Sequence, residues 1–223
     1  MSTIYDRLLL LPLFQGMSSA DLTALSGTTK FSFQRYEAGK TVVSEGDVCD
    51  HLCFLMNGEL RVTAEADDHS YTLTETMHAP DILQPERIFG LTQRFTRTFT
   101  TLTECNCMML QKSEVIRLAN EYDVFRINLF NVISAQSHHL QRHLWHPQPD
   151  TLDQRIVRFI VERSLRPAGA KTLHIKMMRL AHELNDSRLN VSRALNRLQA
   201  CGLLQLHRGR IEIPALEQLI ASI

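Results

Sequence analysis

Between Phe31 and Leu110 apolar positions fall into short runs rich in Val, Thr, Phe and Tyr, broken at Ala38-Gly39, Glu45-Gly46-Asp47, Asn57-Gly58, Asp67-Asp68-His69 and Ala79-Pro80-Asp81. Strands at a spacing of roughly 8 to 12 residues, with turn formers between them, predict an all-β sandwich or barrel. The segment before them differs. Leu8, Leu9, Leu10, Leu11, Leu13 and Phe14, followed by Ser18-Ser19-Ala20-Asp21-Leu22, read as short helices. Ser18 or Ser19 is the expected N-cap, its hydroxyl accepting from an otherwise unpaired backbone N–H.

After Lys112 the period lengthens again. A helix is predicted over residues 114–120, and a second from Val124 to Trp145, a stretch with no Gly or Pro for about six turns. Within it Leu129, Ile133, Gln136, Leu140 and His143 or Leu144 recur at alternating steps of four and three, the spacing of a coiled-coil seam. The expected role is a dimer helix; the plainer alternative is a stripe packed on its own β domain. His146-Pro147-Gln148-Pro149-Asp150 is the expected hinge, because two close prolines end a helix and stiffen the connection. Beyond it the pattern predicts a helix over 152–165, a loop at Arg166-Pro167-Ala168-Gly169 and a short strand over 173–175. Two helices then follow over 176–184 and 188–201, and a hairpin is formed by 203–207 and 210–213. The domains predicted are residues 1–121, a linking helix over 122–146, and residues 147–223.

With 223 residues, 44% hydrophobic and 22% charged, the chain is long enough for two domains, and its composition excludes a collagen-like or wholly disordered polypeptide. No run of about 18 uncharged apolar residues and no signal-peptide pattern is present, so a cytoplasmic protein without a membrane partner is expected. Five cysteines, an odd number, are expected as reduced thiols. The 24 basic and 24 acidic side chains cancel overall, yet they are unevenly placed. Residues 1–150 carry 12 basic and 18 acidic groups, whereas residues 151–223 carry 12 basic and 6 acidic. A basic C-terminal part facing a polyanion, first of all nucleic acid, follows from that split.

The strongest local signal lies between Met177 and Leu198. Two helices crossing steeply need a small residue at the contact, supplied by Ala181, and a tight turn that tolerates positive φ, supplied by Asn185. Val191 would fill the gap between the helices, Leu180, Leu184, Leu195 and Leu198 complete the apolar face, and Asp186 or Ser187 caps the second helix. That assignment leaves Arg188, Leu189, Ser192, Arg193, Asn196 and Arg197 on the outer face of a helix sized for a major groove, where Arg can present a bidentate fork to guanine. Arg208 and Arg210 flank the following turn, where a wing would meet phosphate.

Other chemistries find less support. Cys105 and Cys107 share one strand face and Cys49 and Cys53 lie near another strand, but the spacing is far from a paired Cys-x-x-Cys site. Buried structural thiols are therefore expected, and no metal. His138, His139, His143 and His146 run along the long helix and are expected at a solvated or dimer face. No His-x-His motif, Gly-x-Ser-x-Gly elbow or Gly-rich phosphate loop with Lys occurs, so an enzyme is not expected. The alternative to a DNA-binding regulator is a nucleotide- or metabolite-binding regulatory subunit acting on another protein.

Gly39-Lys40-Thr41-Val42-Val43-Ser44-Glu45-Gly46-Asp47 and Leu52-Cys53-Phe54-Leu55-Met56-Asn57-Gly58-Glu59-Leu60-Arg61-Val62, followed by the long helix and the helix-turn-helix, resemble the cyclic-AMP receptor protein and fumarate-nitrate regulator (Crp/Fnr) superfamily of bacterial transcription factors. The resemblance covers nearly the whole chain. It implies an α+β fold: an N-terminal β-roll (double-stranded β-helix) of the cyclic nucleotide-binding kind, a long dimerisation helix and a C-terminal winged helix-turn-helix. It implies a homodimer that binds double-stranded DNA, and it leaves RNA polymerase open as a further partner. Arg188, Ser192 and Arg193 fall on family positions that touch DNA, whereas Leu189 stands where many members have a Glu that accepts from cytosine. The family's usual TGTGA or TTGAT half-site is accordingly not expected.

For a ligand in the roll, the resemblance makes Glu86 the counterpart of the ribose-binding carboxylate, Arg97 of the phosphate arginine and Thr98 of the neighbouring hydroxyl. Pro85 replaces a glycine and removes a backbone donor, Phe99 adds bulk, and the purine-contacting hydroxyl pair maps near His139, Leu140 and Gln141, none with a hydroxyl. Cyclic AMP is therefore not the expected effector, no cofactor is expected, and the effector is left open.

Overall fold

The computed structural model describes residues 8–145 and 149–222, with side chains left aside at 139–145. The predicted seam positions Leu140, His143 and Leu144, the residues His139 and Gln141, and the hinge residues His146, Pro147 and Gln148 thus lie outside the described side chains. The chain divides into two compact units: Met1–Leu60 with Met77–Arg142, and Arg61–Thr76 with His143–Ile223.

The first unit opens with helix α1 (Ser19–Thr28), capped by Ser18, whose Oγ accepts from the Asp21 N–H at 3.1 Å. A four-stranded antiparallel sheet follows in the order β1 (Phe31–Tyr36), β8 (Cys105–Gln111), β3 (His51–Asn57), β6 (Asp81–Leu83). The central strands are the apolar runs: Leu52–Leu55 in β3 and Cys107–Leu110 in β8 are buried without alternation, as expected where both faces are covered. Strand β2 (Thr41–Val43) pairs with β7 (Thr98–Thr101), whose Phe99 and Thr101 are buried and alternate with half-exposed Thr98 and Thr100. The Asn57-Gly58 turn admits no side chain, because Gly58 has φ +88° and a Cβ there would lie 2.5 Å from the Glu104 carbonyl oxygen.

Helices α2 (Lys112–Glu121) and α3 (Asp123–Trp145) come next, burying Val115 and Leu118, and Phe125 and Leu129, respectively. Phe14 ties the segment together, its ring centroid 5.4 Å from Phe125 and 5.8 Å from Phe54. Leu129 corrects the predicted seam. It is 2% exposed and belongs to the core of its own unit, whereas Ile127 and Phe130, outside the predicted heptad, are 56% and 59% exposed. Ile133 and Gln136 of the predicted seam are half-exposed, so among the described side chains Leu129 is the seam position that its own core takes.

The second unit contains an element that the chain pattern did not announce. The tips of β4 (Glu59–Glu65) and β5 (Tyr71–His78), residues 61–76, cluster with the C-terminal residues, and β5 pairs antiparallel with β9 (Lys171–Ile175) from Tyr71↔Ile175 to Glu75↔Lys171. Strand β11 (Arg210–Ile213) lies on the other side of β9 and pairs with β10 (Gln205–His207), so the predicted hairpin forms. Helices α4 (Leu152–Arg163), α5 (Met177–Glu183), α6 (Arg188–Ala200) and α7 (Leu216–Ala221) cover one core of Leu73, Ile156, Ile160, Leu173, Leu195 and Leu219 with their neighbours. Thr151 and Gln154 form a capping box at the start of α4.

At the end of the β5–β9 ladder sits a buried ion pair. Lys171 Nζ donates to Glu75 Oε2 at 2.6 Å and to the Ala168 carbonyl at 2.9 Å, with the two side chains 2% and 3% exposed. Glu75 also accepts from the Leu165 N–H at 2.6 Å. Nearby, Arg163 lies 3.7 Å over the Phe159 ring and donates to the Tyr71 hydroxyl at 2.9 Å. At the hairpin tip Asp68 meets Arg179 of α5 at 3.0 Å.

Candidate nucleic-acid interface

Local chemistry builds the turn between α5 and α6. Asn185 takes φ +49°, and the turn closes through hydrogen bonds from the Asn185 N–H to the His182 carbonyl and from the Asp186 N–H to the Ala181 carbonyl. Ala181, 5% exposed, sits at the crossing, and Val191, wholly buried, fills the space between the helices. Ser187 is the N-cap of α6, its Oγ accepting from the Asn190 N–H at 3.1 Å. Arg155 of α4 braces the same turn, donating to the Leu184 carbonyl at 2.8 Å and to Asp186 at 2.6 Å. The Asn190 amide, the Ser187 N–H and Arg155 hold the Asp186 carboxyl below its ordinary pKa, each bond favouring the charged form.

Burial divides α6 cleanly. Val191, Ala194, Leu195 and Leu198 face the core, while Arg188, Leu189, Arg193, Asn196 and Arg197 are exposed and Ser192 is half-exposed. These six outward residues are those the sequence singled out, but they are not equally available. Arg197 is bound to Asp153 of α4 at 2.6 Å, and Asn196 Nδ2 donates to the Ser192 carbonyl at 2.8 Å. Arg188 and Arg193 make no ion pair among the described residues, which leaves both guanidinium forks for an outside partner. In the hairpin Arg208 is exposed in the turn, while Arg210 pairs with Glu212 at 3.1 Å. The Arg197–Asp153 tie joins residues 44 apart along the chain, which no local pattern signalled, whereas strand alternation places Arg210 and Glu212 on one face.

The roll site is arranged differently. Glu86 lies in a single 3-10 turn (Pro85–Arg87) entered through Gln84, which takes φ +36°. Gln84 clamps Thr96, donating through Nε2 to Thr96 Oγ1 at 2.8 Å and accepting from the Thr96 N–H at 3.0 Å. Burial pushes the Glu86 carboxyl up, against the lowering influence of its own backbone hydrogen bond and of Arg87 and Arg97, and its Oε2 is buried without a hydrogen-bond partner. Thr98, in contrast, uses its hydroxyl to accept from the Glu45 N–H at 3.1 Å, and Phe99 is wholly buried.

Among the described residues no three His, Cys, Asp or Glu side chains gather as metal ligands. Cys49, Cys53, Cys105 and Cys107 are buried and Cys201 is exposed, all as free thiols. Burial pushes the Cys49 thiol up to about 11, and a hydrogen bond with Cys107 together with burial pushes Cys53 well up. No described helix is long and apolar enough to cross a membrane.

Two family models match the chain. The cyclic nucleotide-binding domain covers residues 33–122, and the Crp-like helix-turn-helix domain covers residues 154–222. Among solved structures the chain is similar to the catabolite activator protein of Thermus thermophilus, at 19% identity and TM-score 0.49 over 95% of this chain and 97% of that one. It is also similar to the c-di-GMP responsive global regulator CLP of Xanthomonas campestris, at 19% identity and TM-score 0.47 over 88% and 99%. The N-terminal domain of a transcriptional regulator from Streptomyces coelicolor A3(2) aligns at 18% identity and TM-score 0.50 over 66% of this chain and 100% of that one. No curated protein matches.

Proposed function

Because the chain belongs to the Crp/Fnr superfamily of transcription regulators, which are not enzymes, we propose that it is a cytoplasmic, homodimeric regulator whose α6 reads double-stranded DNA in the major groove. The observation that carries this reading is the division of α6: an apolar face seated in the core and an outer face where Arg188 and Arg193 make no ion pair among the described residues, in a C-terminal segment, residues 151–223, with 12 basic and 6 acidic groups. Ser192 adds a hydroxyl beside them. Arg208, at the exposed tip of the hairpin, meets phosphate and positions the helix without reading sequence. Arg197 and Arg210, each already holding a carboxylate, contribute less.

Dimerisation is assigned to α3. Ile127 and Phe130 are large apolar side chains left more than half exposed on a helix whose opposite face, with Phe125 and Leu129, is wholly committed to its own core. A second copy of the helix would cover them, and two half-sites about one DNA turn apart would then be read by the two α6 helices. RNA polymerase is the further partner through which a bound dimer would alter transcription.

The roll is assigned neither cyclic AMP nor a resident cofactor. Arg97 favours the charged form of Glu86, but Pro85 offers no N–H, Thr98 is engaged with Glu45, and Phe99 is wholly buried. The direct test combines two measurements. Selection of random DNA by the purified full-length protein should yield a two-fold-symmetric sequence, and titration with cyclic AMP should show no saturable binding at low micromolar concentration. A protein that selects no sequence would favour the regulatory-subunit alternative, and tight cyclic AMP binding lost in Arg97→Ala would restore a cyclic-nucleotide mechanism.

A further inference from the structure

We propose that Leu189 reads the 5-methyl group of a thymine, so that each half-site carries a T·A pair opposite this side chain. The inference rests on the DNA-reading role of α6 proposed above and adds which base edge its apolar outward residue takes.

Leu189 lies in the first turn of α6, directly after the Ser187 cap, and is 58% exposed. Its companions on the outer face, Arg188, Ser192 and Arg193, are all polar, so a leucine there gains no burial in the free protein. The other residue of that turn is not available for readout. Asn190 Nδ2 donates to Asp186 Oδ1 at 2.9 Å, and Asp186 is itself held by Arg155. The leading turn of the helix therefore offers a groove one free guanidinium, Arg188, and one apolar side chain.

Thymine alone among the four bases presents an apolar group in the major groove. Cytosine would place an amino donor against Leu189, guanine its N7 and O6 acceptors, and adenine an N7 acceptor and an N6 amino donor. Each such group would lose its water without gaining a partner. Thymine instead buries its 5-methyl against the leucine, and its O4 acceptor lies to the side of that contact. Leu189 and Arg193 stand one turn apart, about 6 Å between side-chain roots, and base pairs stack at about 3.4 Å. The thymine therefore falls within one or two base pairs of the base taken by Arg193.

The test replaces only the methyl group. Once an operator has been selected with the full-length protein, deoxyuridine is placed at the assigned thymine and affinity is measured against the parent duplex. Loss of one buried methyl should weaken binding about threefold to fourfold per half-site, and roughly tenfold when both half-sites are changed. At the same position 5-methylcytosine should bind better than cytosine. Leu189→Ala, at an exposed site where folding is not in question, should abolish the difference between thymine and deoxyuridine, and Leu189→Glu should shift preference toward cytosine. Equal affinity for the thymine and deoxyuridine operators at every position facing α6 would overturn the inference while leaving sequence-specific binding intact. Failure to select any sequence would instead overturn the DNA-reading role, and this inference with it.

Discussion

On the outer face of α6, Arg188 and Arg193 project with no ion-pair partner among the described residues, whereas around Glu86 the neighbouring Gln84, Thr96 and Thr98 are engaged within the fold and Glu86 Oε2 is itself buried without a hydrogen-bond partner. Gln84 holds Thr96, Thr98 holds the Glu45 backbone, and Arg97 acts on Glu86. Both regions carry side chains of a type suited to binding anions. What separates them is availability: a group that satisfies its neighbours stabilises the fold, and one left unsatisfied at the surface can be completed by a partner. The same contrast recurs within α6, where Arg193 is free and Arg197 is tied to Asp153.

The contrast predicts its largest effect in the salt dependence of DNA binding. If a dimer places about six guanidinium or ammonium groups on phosphates, affinity should fall about a thousandfold between roughly 50 and 200 mM salt. A change under tenfold in a filter-binding or anisotropy titration would mean that the free arginines do not meet DNA. Comparable in size is the effect of breaking the buried pair at the end of the β5–β9 ladder. Lys171→Met removes the ammonium partner of the buried Glu75 and should cost about 3 to 5 kcal/mol of unfolding free energy, read by denaturant melting. An unchanged midpoint would show that the β5–β9 ladder does not need the pair.

Smaller effects separate available from engaged arginines directly. Arg193→Ala should cost about 1 to 3 kcal/mol and relax preference at one base pair per half-site, while Arg208→Ala should weaken all sequences alike. Arg197→Ala should cost less than Arg193→Ala, because its guanidinium already holds Asp153. Equal losses of specificity in all three would erase the distinction. The smallest effect is expected in the roll. The Glu86 pKa is raised in the folded state, so below the ordinary carboxylate pKa of about 4.3 both states are protonated and no penalty exists. As pH rises through the raised folded pKa, the buried charge opposes folding. Glu86→Gln should therefore melt above the parent at pH 8, with the margin closing toward pH 4. A margin independent of pH would mean that Glu86 is not destabilised as a charge.

The helix-turn-helix was legible because its determinants lie within about twenty residues of one another. Ala181 at the crossing, Asn185 at positive φ, Ser187 as cap and Val191 as filler are each demanded by local backbone geometry. The β-roll was legible for a related reason: turn formers at regular intervals, and unbroken apolar runs where Leu52–Leu55 and Cys107–Leu110 become central strands. Helix α7 and the roles of Asp153 and Glu75 left no such mark.

By itself, then, the sequence determined the strand and helix segments other than α7, where α5 turns into α6, and which side of α6 is apolar, since these follow from steric preferences and periodicity over a few residues. Only the tertiary structure decided which partners those faces meet. It turned Leu129 inward and left Phe130 outside, tied Arg197 to Asp153, and joined β5 to β9 through Glu75 and Lys171, 96 residues apart. A hydrophobic or charged position states that it needs a partner, but the partner's identity depends on loop closure and packing over the whole unit.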